Sequence, residues 1–214
     1  MFLVDHQANK ELANAVGRPP ERLPIKITAH IVHGNALQLD WADMLPDSAT
    51  KTYIFGNPPF IGQYTKTAEQ TADMKQVWGK DYDGYLDYVT GWHAKAKDLL
   101  ADRPGEFAYV TTNSITQGQP VPALFGPLFR EGWRIKFAHR TFKWDSEAPG
   151  KAAVHCVVVG FTRDREAKSR LWDYPDVKGE PVEQSVGHGI NAYLIDGPNV
   201  LVAKRMQPLS SELP

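Results

Sequence analysis

The order of strand-like and helix-like segments is the feature that most restricts how this chain can fold. Short stretches rich in β-branched and aromatic residues alternate with stretches in which apolar residues recur at helical spacing. Strands that alternate with helices along a chain form α/β folds, in which the helices cover the faces of one sheet. The sequence therefore predicts the α/β fold class.

The predicted elements occupy the first 172 residues. Helices are expected over residues 6–16, 83–101 and 121–130, the last with a kink at Gly126 and Pro127. Beyond Asp173 the sequence is rich in turns, so residues 173–214 are expected to form a linker and the beginning of another domain. Strands are expected over residues 25–32, 52–55, 106–111, 133–140 and 152–161.

The composition is that of a globular protein. Of the 214 residues, 42% are hydrophobic and 23% are charged, which excludes the pattern of an intrinsically disordered chain. The sequence has no membrane-length apolar run and no signal-peptide pattern in its first ten residues, so a cytoplasmic protein without membrane contact is predicted. The single cysteine, Cys156, excludes an intramolecular disulfide and a multi-cysteine zinc site.

Basic residues are concentrated between Arg134 and Arg170. This window holds nine basic and four acidic residues, whereas the whole chain has a net charge of −1. Such an excess suits an anionic polymer, but a solvated loop of mixed charge explains it equally well. Charge alone leaves both possibilities open.

The tetrapeptide Asn57-Pro58-Pro59-Phe60 follows the predicted strand 52–55, and α/β proteins bind ligands at such strand ends. An enzyme that methylates a planar amine must accept hydrogen bonds from both N–H groups, so that the nitrogen lone pair becomes available. The Asn57 amide and the next backbone carbonyl, in a loop stiffened by two prolines, are two such acceptors, and Phe60 can stack on a base. The alternative is a proline turn capped by Asn57, with Phe60 in the core.

Four segments together are similar to a known family: GNPPFIG, DYVTGWHAKAKDLL, FAYVTTNSITQG and FAHRTFKWDSEAPGKAAVHCVVVGF. They resemble the catalytic half of an adenine-N6 DNA methyltransferase, most closely the MmeI-like type IIL restriction-modification proteins. The resemblance runs from about Met1 to Phe161, and AYLIDGPNVLVAKRMQPLS resembles the beginning of that family's target-recognition region. It implies a site-specific enzyme that transfers methyl from S-adenosyl-L-methionine to an adenine flipped out of double-stranded DNA.

The resemblance also implies a class I, Rossmann-like methyltransferase sheet and roles for individual residues. The tetrapeptide would be catalytic and would hold the flipped adenine. The segment HGNAL matches a loop that approaches the cofactor, which assigns Asn35, Ala36 and Leu37 to cofactor binding. The family often has aspartate where this chain has Asn35, so the acceptor is kept and the charge is lost.

A later motif of the family carries an aromatic residue that stacks on the extruded base. The segment HRTFKW matches it, and Phe142 is preferred to Trp144 for this role. Nearby basic residues would contact DNA phosphates, with ordinary solvated surface bases as the alternative. These predicted DNA-binding residues are His139, Arg140, Lys143 and Lys151.

Two elements that such a methyltransferase needs for its cofactor are not visible in the sequence: a glycine-rich turn after its first strand and an acidic residue after its second. No glycine-rich turn precedes residue 35, and the glycines of GHGIN follow no evident strand. The resemblance implies a strand order of 3-2-1-4-5-7-6, of which this chain would lack strands 1 and 2. Residues 1–172 would then be the C-terminal catalytic portion of the domain, and 173–214 a linker with the beginning of the target-recognition domain. We therefore expect weak or no cofactor binding, and a missing amino-terminal half or a second copy as partner.

Two other functions stay open. The same loop chemistry serves other planar amines, such as protein glutamine or an RNA base, and a catalytically silent DNA-binding or assembly fragment is a third possibility. No metal site is predicted, because His30 and His33 would face opposite sides of strand 25–32. A nuclease role for Glu166 and Lys168 is discounted, since short charged strings of this kind recur by chance.

Overall fold

The computed structural model describes residues 10–17, 30–45, 51–144 and 154–202. It divides into two units, Met1–His33 and Gly34–Pro214. In the first unit residues 10–16 are helical, which confirms that part of the predicted helix, while residues 6–9 lie outside the described residues. Residues 30–32 are not in a strand, so this end of the strand predicted over 25–32 is wrong, and residues 25–29 lie outside the description.

The second unit contains a mixed six-stranded sheet. Its strands are β1 (Thr52–Gly56), β2 (Gly105–Thr112), β3 (Arg134–Trp144), β4 (Val154–Thr162), β5 (Arg170–Asp173) and β6 (Val182–Gln184), in the order β1-β2-β4-β3-β5-β6. The first four coincide within a few residues with the strands predicted over 52–55, 106–111, 133–140 and 152–161. The fourth strand lies between the second and third, as in the second half of the order 3-2-1-4-5-7-6.

The strand directions place several strand ends at one edge of the sheet. β1 runs parallel to β2, and β3 runs parallel to β5. Because β4 is antiparallel to both β2 and β3, those two strands point the same way. The carboxyl ends of β1, β2, β3 and β5 therefore share one edge, the edge at which α/β proteins bind ligands.

Three helices accompany the sheet: α1 (Ala68–Trp78), α2 (Gly91–Leu99) and α3 (Pro120–Arg130). Sequence reasoning missed α1, although its capping box is visible as Thr67 with Gln70, whose side chains bond each other's backbone N–H groups. α2 is shorter than the predicted helix over 83–101, because residues 83–87 form turns and Tyr88–Thr90 is a 3-10 turn. α3 has the predicted length and contains Pro127.

An aromatic cluster joins α2 to the sheet. The fully buried ring of His93 lies between Phe107 and Tyr109 of β2 and Phe161 of β4, at centroid distances of 4.9 to 6.0 Å. The rings of Phe107 and Phe161 stack at 4.8 Å. Burying each Phe side chain contributes roughly 2–3 kcal/mol, so this cluster fixes α2 against the strands that lead to the ligand-binding edge.

Residues beyond Asp173 pack on the same core. β6 extends the sheet by pairing with β5, and Ile190, Ala192 and Leu194 are buried among the core residues. The packing is therefore continuous across residue 172, where a domain boundary is predicted. The assignment of residues 173–214 to a linker and the beginning of another domain stays a prediction. None of the helices in the described ranges is long and apolar enough to cross a membrane.

Candidate functional site

The loop that carries the tetrapeptide leaves β1 at the carboxyl edge. Pro58 and Pro59 have no backbone N–H and cannot continue the pairing of β1, so the strand ends at Gly56. Asn57 is exposed, and Pro58 is buried. Phe60 is half-buried and packs against the core, which leaves only part of its ring accessible.

A cavity of about 340 Å³ opens beside this loop. Its walls are formed by residues 54–59 and by the aromatic side chains of Trp41, Trp92 and Tyr109. Tyr109 donates a hydrogen bond to the Trp92 carbonyl at 3.2 Å, and burial raises its pKa, so it stays neutral. A second cavity of about 300 Å³ is lined mainly by charged side chains and contains none of the predicted site residues.

The second half of the loop is anchored to the segment before α2. The Ile61 carbonyl accepts a hydrogen bond from the Tyr88 N–H at 2.9 Å, and the Gln63 N–H donates to Asp87 Oδ1 at 2.7 Å. Lys66 donates to the Leu86 carbonyl. Burial lowers the pKa of Lys66, and the nearby Asp87 carboxylate partly opposes this change. The loop is thus held at three points within six residues.

The predicted cofactor loop is fixed from within. The Asn35 Oδ1 atom accepts from the Leu37 N–H at 3.0 Å, and its Nδ2 donates to Asp73 Oδ2 at 2.9 Å. Ala36 uses its carbonyl to accept from Trp41 Nε1 at 2.8 Å, and Leu37 is buried. Both ends of the Asn35 amide therefore have partners inside the chain.

A buried carboxylate on α1 holds that loop in place. Besides Asn35, Asp73 accepts hydrogen bonds from Gln38 Nε2 at 2.8 Å and from the Tyr88 hydroxyl at 3.1 Å. Burial raises the pKa of Asp73, but these three hydrogen bonds outweigh it and lower the pKa below its usual value. Burial and the adjacent Asp73 raise the pKa of Tyr88 to about 12. An aspartate at position 35 would face the Asp73 carboxylate, which explains why asparagine fits here.

Phe142 lies at the same edge as the end of β2. It pairs with Cys156 of β4, and Cys156 pairs with Thr112 of β2, so two strand spacings, about 10 Å, separate Phe142 from Thr112. The Phe142 ring is half-buried, 5.2 Å from the Tyr174 ring and 6.2 Å from the Trp144 ring. Trp144 is 45% exposed, so both aromatic residues stay candidates for stacking on a base.

Two of the predicted DNA-binding residues, His139 and Arg140, contact other residues of the fold through their side chains. The His139 ring stacks on Trp172 at 4.6 Å and shares a hydrogen bond with the Tyr174 hydroxyl, and burial lowers its pKa. Arg140 pairs with Asp173 at 3.0 Å and donates to the Leu194 carbonyl at 2.8 Å. The half-buried Lys143 lies near the end of β3, and Lys151 lies outside the described residues. Their contacts with phosphates stay a prediction.

The structure adds side chains that sequence reasoning missed, namely Trp41, Asp73, Asp87, Trp92 and Tyr109. A usable signal existed for one of them, because an aspartate within the apolar run Leu86 to Val89 indicates a buried carboxylate with partners. In the described ranges, no three His, Cys, Asp or Glu side chains come together as a possible metal site.

Comparisons with known proteins agree on one family. Residues 1–173 match the family model described as "MmeI, DNA-methyltransferase domain". The chain is 35% identical over 215 residues to DNA methyltransferase A of Bacillus subtilis (strain 168), covering 98% of this chain and 24% of that protein. It matches a solved structure of the type IIL restriction-modification enzyme MmeI in complex with DNA, with a TM-score of 0.85 and 41% identity, over 98% of this chain and 28% of that one. The chain thus spans about a quarter of each relative.

Proposed function

Since the chain belongs to the family of MmeI-type DNA-methyltransferase domains, we propose that it forms the acceptor-binding part of a DNA adenine-N6 methyltransferase. One observation carries this proposal: the Asn57–Phe60 loop projects from the carboxyl edge of the sheet beside a cavity of about 340 Å³ with aromatic walls. The substrate would be an adenine flipped out of double-stranded DNA. A cytoplasmic location is part of the proposal, because both DNA and the methyl donor are found inside the cell.

The loop supplies the chemistry that methylation of adenine requires. The exposed Asn57 amide oxygen and the Pro58 carbonyl would accept hydrogen bonds from the two N–H groups of the amine. These bonds draw the nitrogen toward a pyramidal shape and free its lone pair. The accessible part of the Phe60 ring would stack on the base, and Phe142 or Trp144 would contact it from the end of β3.

S-adenosyl-L-methionine would supply the methyl group as an electrophile. The described residues fit only part of its site. The loop of Asn35, Ala36 and Leu37 matches the family's cofactor loop in sequence, but both polar atoms of the Asn35 side chain are already bonded within the chain. The glycine turn at residues 187–189 is filled as well, because its three N–H groups donate to the Asp196 carboxylate at 2.8 to 3.1 Å. We therefore expect weak or no binding of the donor by this chain alone.

An additional polypeptide would complete the sheet. In the part of the chain that is described, β1 pairs only with β2, and Tyr53 and Phe55 are 62% and 83% exposed. A strand that is unpaired on one side and carries exposed apolar side chains favours association with another strand. A preceding segment of a longer protein, or a second copy of this chain, would cover them.

A binding experiment tests the proposal without needing the methyl donor. Fluorescence anisotropy would compare the affinity of the 214-residue chain for two duplexes that differ in one unpaired base, adenine or thymine. We expect about tenfold tighter binding to the adenine duplex, because two hydrogen bonds to the amine are worth roughly 1–2 kcal/mol. Asn57→Ala removes one of the two acceptors and should reduce the preference to about threefold, whereas Asn14→Ala, at an exposed position of the helix over residues 10–16, should retain it in full.

Equal affinity of the unmodified chain for the two duplexes would refute the proposal. Equal affinity together with a preference for a single-stranded RNA or a glutamine peptide would instead support a different planar amine. Binding to DNA without any base preference would support a silent DNA-binding fragment. Calorimetric titration with S-adenosyl-L-methionine, alone and with the adenine duplex, tests the expected weakness of donor binding.

A further inference from the structure

The loop that carries Asn57 runs from residue 57 to residue 66, and proline rings restrict the backbone only in its first half. Pro58 and Pro59 restrict the backbone there, whereas residues 61–66 contain Gly62 and no proline. This second half needs another constraint if Asn57 is to be held in one position. The anchors to the segment before α2 supply it, and Asp87 is the side chain on which they converge.

Asp87 joins three segments of the chain. Its carboxylate is 4% exposed. Oδ1 accepts from the Gln63 N–H at 2.7 Å, and Oδ2 accepts from the Ser114 hydroxyl. The Ser114 oxygen in turn accepts from the Thr112 hydroxyl at 2.7 Å, and Thr112 Oγ1 lies 3.4 Å from Oδ2. One carboxylate therefore connects the Asn57 loop to the end of β2.

Local structure does not require an aspartate at this position. Asp87 precedes the 3-10 turn Tyr88–Thr90, where an aspartate side chain usually caps the turn. Its side chain makes no such capping bond. Instead the carboxylate points across to Gln63 and Ser114, which are 24 and 27 residues away in sequence.

We propose that Asp87 is a positioning residue, which holds the loop of Asn57 at a defined distance from the end of β2. This proposal rests on the proposed function, because the position of the loop matters only if Asn57 binds the acceptor amine. Gln63 is six residues from Asn57, and two of those residues are the rigid prolines. Release of Gln63 would leave the loop anchored only at Ile61 and Lys66, which allows the acceptor atoms to move. A displacement of about 1 Å is enough to weaken a reacting geometry a hundredfold.

The test separates loop position from overall stability. Asp87→Ala removes the acceptor for Gln63 and Ser114. Asp87→Asn retains an oxygen for the Gln63 N–H and an NH₂ group that can donate to the Ser114 hydroxyl. Asp98→Ala is the control, because Asp98 is an exposed aspartate on the adjacent α2. Hydrogen exchange over residues 57–66 and the ratio of affinities for the adenine and thymine duplexes are measured for each variant.

For Asp87→Ala we expect at least tenfold faster exchange in residues 60–66 and loss of the adenine preference, with exchange in β2 and β4 unchanged. Asp87→Asn should keep most of both properties, and Asp98→Ala should keep all of them. Unchanged exchange in the loop, or equal acceleration throughout the sheet, would overturn the proposal. If Asp87→Ala does not fold, Ser114→Ala removes one donor and should give a smaller change of the same kind.

The two proposals fail in different ways. If the unmodified chain shows no adenine preference, the proposed function fails, and hydrogen exchange alone decides whether Asp87 holds the loop. If the unmodified chain prefers adenine and Asp87→Ala does so equally, the function stands and the positioning role of Asp87 is refuted.

Discussion

Burial of His93 should make this protein less stable as the pH falls. The His93 ring is fully buried among Phe107, Tyr109 and Phe161, and within the described ranges neither ring nitrogen has a hydrogen-bond partner with good geometry. Burial lowers the pKa of His93 from 6.5 to about 4, and the backbone of Val89 offsets only part of this effect. In the unfolded chain the imidazole recovers its ordinary pKa, so the unfolded state binds the proton more tightly.

The sign and size of the effect follow from this difference. At pH values well above 6.5 His93 is neutral in both states and does not affect the free energy of unfolding. As the pH falls from 6.5 to 4 the unfolded state gains a proton first, so stability decreases throughout this range. Each pKa unit corresponds to about 1.4 kcal/mol, which gives a total loss on the order of 3 kcal/mol.

Urea unfolding of the 214-residue chain between pH 4.5 and 8, followed by circular dichroism, measures this loss. His93→Leu is the matched control, since leucine fills much of the space and cannot be protonated. The burial of His139 lowers its pKa too and adds a loss of the same sign to both proteins. We expect His93→Leu to lose about 2–3 kcal/mol less than the unmodified chain over this range. Equal pH dependence in the two proteins would refute the reasoning.

Two further predictions concern the loops around the site. Asn35→Asp should lower the free energy of unfolding at pH 7.5 by about 2 kcal/mol, because a second carboxylate replaces the Nδ2 donor 2.9 Å from Asp73. The double variant Asn35→Asp with Asp73→Asn restores one amide and one carboxylate, and urea unfolding should show that it recovers most of the lost free energy. A double variant that recovers none of it would contradict this explanation. Gly105→Ala should lower the melting temperature, because a Cβ atom would lie 2.5 Å from the Thr52 carbonyl of β1 and the backbone there cannot move aside. Overpacking of this kind costs about 1–3 kcal/mol, whereas Gly84→Ala, with open space around its Cβ position, should leave the melting temperature within a degree or two of the unmodified value.

Several features of this protein could be predicted because they depend on neighbours in sequence. The two prolines after β1 stop the strand wherever it lies in the fold, so the position of Asn57 at a strand end follows from local chemistry. The apolar run of β4 indicates a central strand, and the structure places it between β2 and β3. The four segments that resemble methyltransferases identified the family, which the comparisons confirm.

The predictions that were wrong concern features that depend on residues far apart in sequence. β-branched residues predict a strand up to Val32, but a strand needs a partner, and residues 30–32 have none in a ladder. The helix predicted from residue 83 begins only at Gly91, because the Tyr88 N–H donates to the Ile61 carbonyl of another segment and not to a carbonyl of its own turn. Periodicity within one segment does not report such pairings.

The α/β class, the tetrapeptide at a strand end and the family were therefore determined by sequence alone. Only the tertiary structure decided which side chains surround that tetrapeptide. Asp73 meets Asn35 across 38 residues, and Asp87 meets Ser114 across 27. Phe142 reaches the edge that holds Thr112 because β4 runs antiparallel to both β2 and β3. Contacts at these separations depend on how strands and helices pack against one another, which local sequence patterns do not encode.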